Sequence, residues 1–262
     1  MGNETKDPRF ATTLARGLSV LQVFRPSDDG LSNLEISERT GMPKSSVSRL
    51  TFTLQSLGYL SHARQGARYH LGPALLAIGN VASASLSFVE MATEIMQQLA
   101  NQTESLVVLG MRDENKVLLL KTWRPQGVSS VWMEVGYKFP ILGSSSGQAL
   151  MAAYSDQEFV DLCEKIDANG SELERIRNEG YSQLLTQGFV VDMNNRFTSK
   201  INAVSAIFRS QEFGEPMVFT CGGVPELLTE ELMRSKVGPS LHAAVRKLNK
   251  VTGRPEALVV RG

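Results

Sequence analysis

The spacing of apolar positions changes twice along this chain. Over residues 12–24 (TTLARGLSVLQVF), Leu14, Leu18, Val20 and Leu21 recur at helical intervals on one face, and PSDDG at 26–30 breaks the pattern with three turn-forming residue types. A second short helix is expected over LEISERT, where Leu34 and Ile36 are apolar, Ser32 can cap, Glu35 follows three residues on, and Gly41 ends the run. Pro43 and Lys44 then open a third helix that reaches Leu57, with Gly58 as its stop. After Gly58 the period drops to two: in YLSHARQGARYHLG, YLSH and RYHL flank a turn containing Gly66, the signature of a β-hairpin. Tightly joined helices followed by a hairpin give the order of a winged helix-turn-helix.

Residues 73–102 read as one long helical stretch, with small residues (GNVASAS) at its middle that permit close packing or a bend. From residue 104 strands and helices alternate. LVVLGM and KVLLLKTW pair around RDEN, SVWMEV is expected as a third strand, and GFVVDM, INAVSAIF and PMVFTCG as further strands. SSSGQALMAAY begins a helix, SDQE and SELE read as capping boxes opening two more, and ELLTEELMRS and GPSLHAAVRKLNKV close the chain as helices. The pattern predicts an α+β protein of three parts: a winged helix-turn-helix over 1–72, a linker helix over 73–87 and a second domain over 88–262.

Charge refines this division. The whole chain is neutral, with 27 basic and 27 acidic side chains, yet no Asp or Glu occurs between Glu38 and Glu90. That interval holds Arg39, Lys44, Arg49, Arg64 and Arg68. Excluding carboxylates from one contiguous segment suits a surface that meets phosphates. Two cysteines, Cys163 and Cys221, give no disulfide framework, and no apolar run reaches bilayer length or resembles a secretory leader. A cytoplasmic protein without membrane attachment is expected.

Projected at helical spacing, Val47, Leu50, Leu54 and Leu57 form the packing face of the third helix, and Ser45, Ser48, Arg49, Phe52 and Ser56 the opposite one. A recognition helix reads bases with residues near its N-terminus, here Ser45, Ser46, Ser48 and Arg49. Arg49 suits a guanine edge, the serines suit bases or phosphates, and Lys44 at the helix mouth suits a phosphate. Arg16 on the first helix and Arg64 and Arg68 on the hairpin suit the backbone. A solvated polar face is the bland alternative for these residues, and edge-strand protection for the hairpin arginines. Phe52 either touches a thymine methyl group or packs beneath the wing.

In the second domain, Ser144, Ser145 and Ser146 precede Gly147 at a helix start, where hydroxyls and backbone amides seat a carboxylate, or where one serine simply caps. Met111 and Trp132, in predicted strands, serve either a pocket wall or the core, and Cys221 either a wall or a reactive thiol. No residues suggest a metal or an organic cofactor: HxxxH, CxxC, a P-loop and a dinucleotide fingerprint are all missing from the sequence.

The segments RGLSVLQVF, LSNLEISERTGMPKSSVSRLTFTLQSLGYL and ARYHLG resemble the N-terminal domain of the IclR family of bacterial transcriptional regulators. VGYKFPILGSSSGQALMAA resembles that family's effector-domain signature. The resemblance implies a GAF-like effector domain with an antiparallel sheet, a linker helix used in dimerisation, dimers that pair into tetramers, and a small organic or aromatic acid as effector. It further implies a pocket formed by Gly143, Ser144, Ser145, the strand end near Asp192, and Cys221. The chain departs from the family pattern at Lys200 and Ile207, where Gly and Pro are usual, and at Ser145 and Cys221, where Ala and Ser are usual. The expectation is therefore a ligand-responsive DNA-binding regulator of metabolic genes, not an enzyme. Its rivals are a GAF-like enzyme carrying a vestigial DNA-binding domain and a nonspecific architectural DNA binder.

Overall fold

The computed structural model describes residues 8–25, 27–62, 68–166, 168–192, 198, 200–209 and 214–253. The chain divides into two compact units, 1–85 and 86–262. The first contains α1 (Thr12–Gln22), α2 (Asn33–Thr40), α3 (Lys44–Ser56), a hairpin of β1 (Leu60–His62) and β2 (Tyr69–Leu71), and α4 (Pro73–Ala84). Its core is small: Val20, Leu31, Ile36, Met42, Val47 and Leu60.

Local chemistry fixes the turn between α2 and α3. Ser32 and Glu35 form the expected capping box, and Gly41 ends α2 at φ 70°, a left-handed conformation that costs glycine little. The predicted face of α1 shifts in register, and that of α3 loses its last member. On α1 the buried positions are Gly17 and Val20, while Leu14 and Leu18 stay exposed. On α3 Val47 is buried and Leu50 and Leu54 pack against the core as expected, with Thr51 buried beside them, while Leu57 is exposed. Thr51 tolerates burial because its hydroxyl donates to Ser48 O at 3.1 Å and meets Asn33 Oδ1 at 3.0 Å.

Residues 73–103 form two helices, not one. α4 runs through most of the small-residue run to Ala84 and α5 (Phe88–Thr103) starts after Ser87, so the break falls at the C-terminal end of that run. The second unit continues with β3 (Leu106–Asp113), β4 (Lys116–Trp123), β5 (Lys138–Pro140), α6 (Ser145–Ala153), α7 (Asp156–Cys163), α8 (Gly170–Gln187), β6 (Val190–Val191), β7 (Asn202–Arg209) and β8 (Pro216–Gly223). It closes with α9 (Glu230–Leu232), which runs through a π-helical turn at Met233–Val237 into α10 (Gly238–Val251).

The expected third strand at SVWMEV does not form. β5 lies further on, at Lys138–Pro140, and pairs antiparallel with β4. SELE is not a capping box either: Asn169 caps α8, its Oδ1 accepting from both the amide and the hydroxyl of Ser171, which places Ser171 inside the first turn. At SDQE the box is present, with Ser155 and Glu158 as its partners.

The six strands form one antiparallel sheet in the order β5-β4-β3-β8-β7-β6. Side chains alternate across it. One face, with Val107, Leu109, Phe208, Phe219 and Cys221, packs with residues of α5 and α10. The other, with Leu106, Val108, Ile207 and Val218, packs with α6, α7 and α8. Every residue of α6 is buried, so its first turn is held rigidly above the sheet.

Candidate nucleic-acid interface and ligand cavity

In the first unit, α3 carries Lys44, Ser45, Ser48, Arg49, Phe52 and Ser56 on its solvent side, all exposed, with Ser46 half-buried. Among the described residues neither Lys44 nor Arg49 has an acidic partner. Arg16 is exposed on α1. Arg64 and the Gly66 turn lie outside the described residues.

Arg68, expected to grip a phosphate, is committed elsewhere. Its Nη2 donates to Glu35 Oε1 at 2.7 Å and to Gly30 O at 3.1 Å, and Nε donates to Asp29 O at 2.9 Å. It ties β2 to the start of α2, so its cation is already neutralised. Arg39 is similarly engaged, bidentate on Asp28 at 2.6 and 2.8 Å. Of the acid-free segment's five cations, those on α3 are the ones left for a ligand among the described residues.

The same network lowers the Glu35 carboxyl from 4.5 to about 2, chiefly through the Ser32 hydroxyl, then the Ser32 amide and Arg68. A carboxyl with a depressed folded value stabilises above its unfolded value, and that contribution is lost as pH falls. Acid melting of the first unit is therefore expected to deepen from about pH 4.5 towards pH 2. Glu35→Gln should lower the melting temperature at neutral pH and flatten this acid limb in a calorimetric pH series. An unchanged limb would show that Glu35 is not its source.

In the second unit, Ser144 caps α6, accepting from the Gly147 amide at 3.1 Å. Helix geometry leaves the Ser145 and Ser146 amides without an intrahelical acceptor, facing outward from the positive end of the helix. Their hydroxyls are joined to the sheet beneath in one chain: Ser145 to Ser205 at 2.9 Å, Ser205 to Thr220 at 2.8 Å and Thr220 to Ser146 at 2.8 Å. All four side chains are buried. Beside this chain lies a cavity of about 40 Å³, walled by Leu106, Val108, Val131, Met133 and Phe139, with Ser144, Ser145, Ser146 and Thr220 on its polar side. Among the described residues no Lys or Arg lines it.

Gly147 makes this approach possible. A Cβ there would stand 1.6 Å from the Ile141 carbonyl oxygen and 2.5 Å from its carbon, so only glycine lets α6 start so close to the preceding loop.

The expected ligand residues divide. Ser144 and Ser145 line the cavity, whereas Gly143 and Asp192, again with Ser144, line a separate one of about 110 Å³ bounded by α6 and α8. Met111 and Cys221 belong to the opposite face of the sheet, among the side chains packed with α5 and α10. Burial pushes the Cys221 thiol up to about 12, which removes it as a nucleophile at neutral pH. Trp132 is 62% exposed with Arg124 stacked on its ring, while its neighbours Val131 and Met133 line the cavity. Nothing in the sequence pattern singles out Ser205 or Thr220, although strand alternation assigns Thr220 to the face that Cys221 avoids.

A winged helix-turn-helix that exposes Lys44 and Arg49 on α3, in one chain with an α+β unit holding a small polar-floored cavity, fits a DNA-binding regulator of transcription. Family comparison agrees: the IclR helix-turn-helix domain matches residues 13–64, and the bacterial transcriptional regulator IclR C-terminal domain matches residues 81–184. The crystal structure of an IclR family transcriptional regulator from Brucella abortus superposes with a TM-score of 0.77 at 30% identity, covering 95% of this chain and 96% of that one. The HTH-type transcriptional regulator TsaQ1/TsaQ2 of Comamonas testosteroni is 27% identical over 256 residues, 95% of this chain and 91% of the relative. An IclR homologue from Microbacterium hydrocarbonoxydans, solved with 4-hydroxybenzoate, shares the fold at 18% identity and a TM-score of 0.68, covering 90% and 99% of the two chains. The chain belongs to the IclR family of bacterial transcriptional regulators.

Proposed function

We propose that the chain is a cytoplasmic, sequence-specific regulator of metabolic genes, acting as a homodimer whose DNA binding is set by a short carboxylic acid. The carrying observation is the first turn of α6, where two amides without intrahelical partners and four linked hydroxyls meet an apolar-walled cavity. An acid seats its carboxylate on the Ser145 and Ser146 amides, where the helix dipole favours negative charge. Hydroxyls of the Ser145–Ser205–Thr220–Ser146 chain reorient to donate to, or accept from, an adjacent hydroxyl or keto oxygen. A cavity of about 40 Å³, lined by no cation among the described residues, favours aliphatic 2-hydroxy or 2-keto monoacids of two to four carbons over aromatic or dicarboxylic acids.

On DNA, α3 enters the major groove, with Arg49 on a guanine edge, Lys44 on a phosphate, and Ser45, Ser46 and Ser48 on bases or backbone. Arg16 and Arg64 add backbone contacts. Dimerisation is supported by α4, which has no buried residue and exposes Leu76, Ile78 and Val81. The acid acts by binding two arrangements of the dimer with different affinity and so shifting how the paired α3 helices match two half-sites.

Thr220→Val tests the ligand seat, because it removes one hydroxyl at nearly constant volume. Affinity for glycolate, lactate or pyruvate, measured by calorimetry, should fall about tenfold for the lost hydrogen bond, with acid-free DNA binding unchanged. An undiminished acid response would place the effector elsewhere.

A further inference from the structure

We infer that Phe52 reads the 5-methyl group of one thymine in each half-site. The inference rests on the proposed docking of α3 in the major groove. Phe52 is 70% exposed, which is unusual for a large aromatic on a well-packed helix. Packing beneath the described strands of the hairpin, β1 and β2, would bury it, whereas it is exposed. Among the described residues no other ring and no cation stacks on it.

Its position on the helix specifies the partner. At 100° per residue Ser45, Ser48, Arg49, Phe52 and Ser56 occupy an arc of about 100°, and Phe52 falls near the middle of it. It lies one turn beyond Ser48 and three residues beyond Arg49. The hydroxyls around it are occupied by the helix itself, Ser56 donating to Phe52 O at 2.9 Å and Thr53 donating to Arg49 O at 3.0 Å. Beyond Arg49, the reading face therefore ends in an apolar ring flanked by hydroxyls already satisfied. A protein partner is disfavoured because the same arc carries Arg49, with Lys44 at the helix mouth, and no carboxylate lies within the 51 residues from Arg39 to Val89. That charge suits phosphate on either side of a groove. Within the major groove thymine alone presents a methyl group, so an apolar contact there separates thymine from the other three bases.

The test uses the full-length protein. Duplexes are selected from a randomised pool at fixed salt, and each thymine of the best-bound duplex is then replaced singly by deoxyuridine, which deletes only the methyl. At one thymine per half-site the replacement should weaken wild-type binding by about three- to tenfold, in line with the burial of one methyl group. Phe52→Ala should bind the thymine duplex correspondingly less well and lose this sensitivity, while keeping the wild-type melting temperature because the ring is exposed. Sensitivity that survives in Phe52→Ala, no methyl-sensitive position in the wild type, or a variant several degrees less stable would overturn the assignment. Failure to enrich any duplex would instead refute the DNA-reading role of α3.

Discussion

Arg49→Ala is expected to weaken binding to a selected duplex by about 1–3 kcal/mol, roughly 5- to 150-fold, and to erase preference at one base pair in each half-site. The expectation follows from position and from what does not compete. Arg49 projects from the exposed side of α3 within its first two turns, where recognition helices meet base edges. Unlike Arg39 and Arg68, whose guanidiniums are bound to Asp28 and Glu35, it brings an unneutralised fork able to take both acceptors of a guanine. Binding curves of the variant against duplexes mutated at each position give the readout. A uniform loss across all sequences would make Arg49 a phosphate contact and rotate the helix in the groove relative to the orientation given above.

The second large effect falls on the other unit. Gly147→Ala should destabilise it by about 3 kcal/mol or more, since the new methyl meets a carbonyl carbon and oxygen of Ile141 and not the end of a flexible side chain. For a unit of this size that corresponds to a fall of about 6–12 °C in melting temperature. Relief requires α6 to withdraw from the loop, and α6 is buried along its whole length. The move would separate Ser145 and Ser146 from Ser205 and Thr220, so the folded fraction should also lose its response to acids. A variant with wild-type stability and acid affinity would mean that the start of α6 is far more yielding than its packing implies.

Different parts of this architecture are written in the sequence with different clarity. The helix-turn-helix is legible because its determinants are local: Ser32 and Glu35 cap each other, Gly41 takes the left-handed turn and Pro43 sets the next helix start. Thr51 escapes such a reading, since its burial depends on Asn33, 18 positions away. Arg68 escapes it for the same reason, its partners lying 33 to 39 residues earlier. In the second unit SVWMEV has strand-forming residues, yet the pairing partner of β4 is Lys138–Pro140, because pairing and not residue type decides which segment joins the sheet. The family resemblance implies a pocket that includes Cys221, while the pairing of β8 with β3 and β7 turns Thr220 and not Cys221 towards α6. Ser205 carries no sequence signal for its place in the hydroxyl chain, because only tertiary pairing brings it beneath a helix start 60 positions away.

The central claim, that one chain couples DNA reading to a short acid, is tested most directly by a single titration. The full-length protein is titrated at fixed salt against the duplex upstream of its own gene and against a scrambled duplex, with and without glycolate, lactate and pyruvate. A clear preference for the native duplex is expected, with that affinity shifted by at least one of these acids. Equal binding to both duplexes, unmoved by any acid, would contradict it.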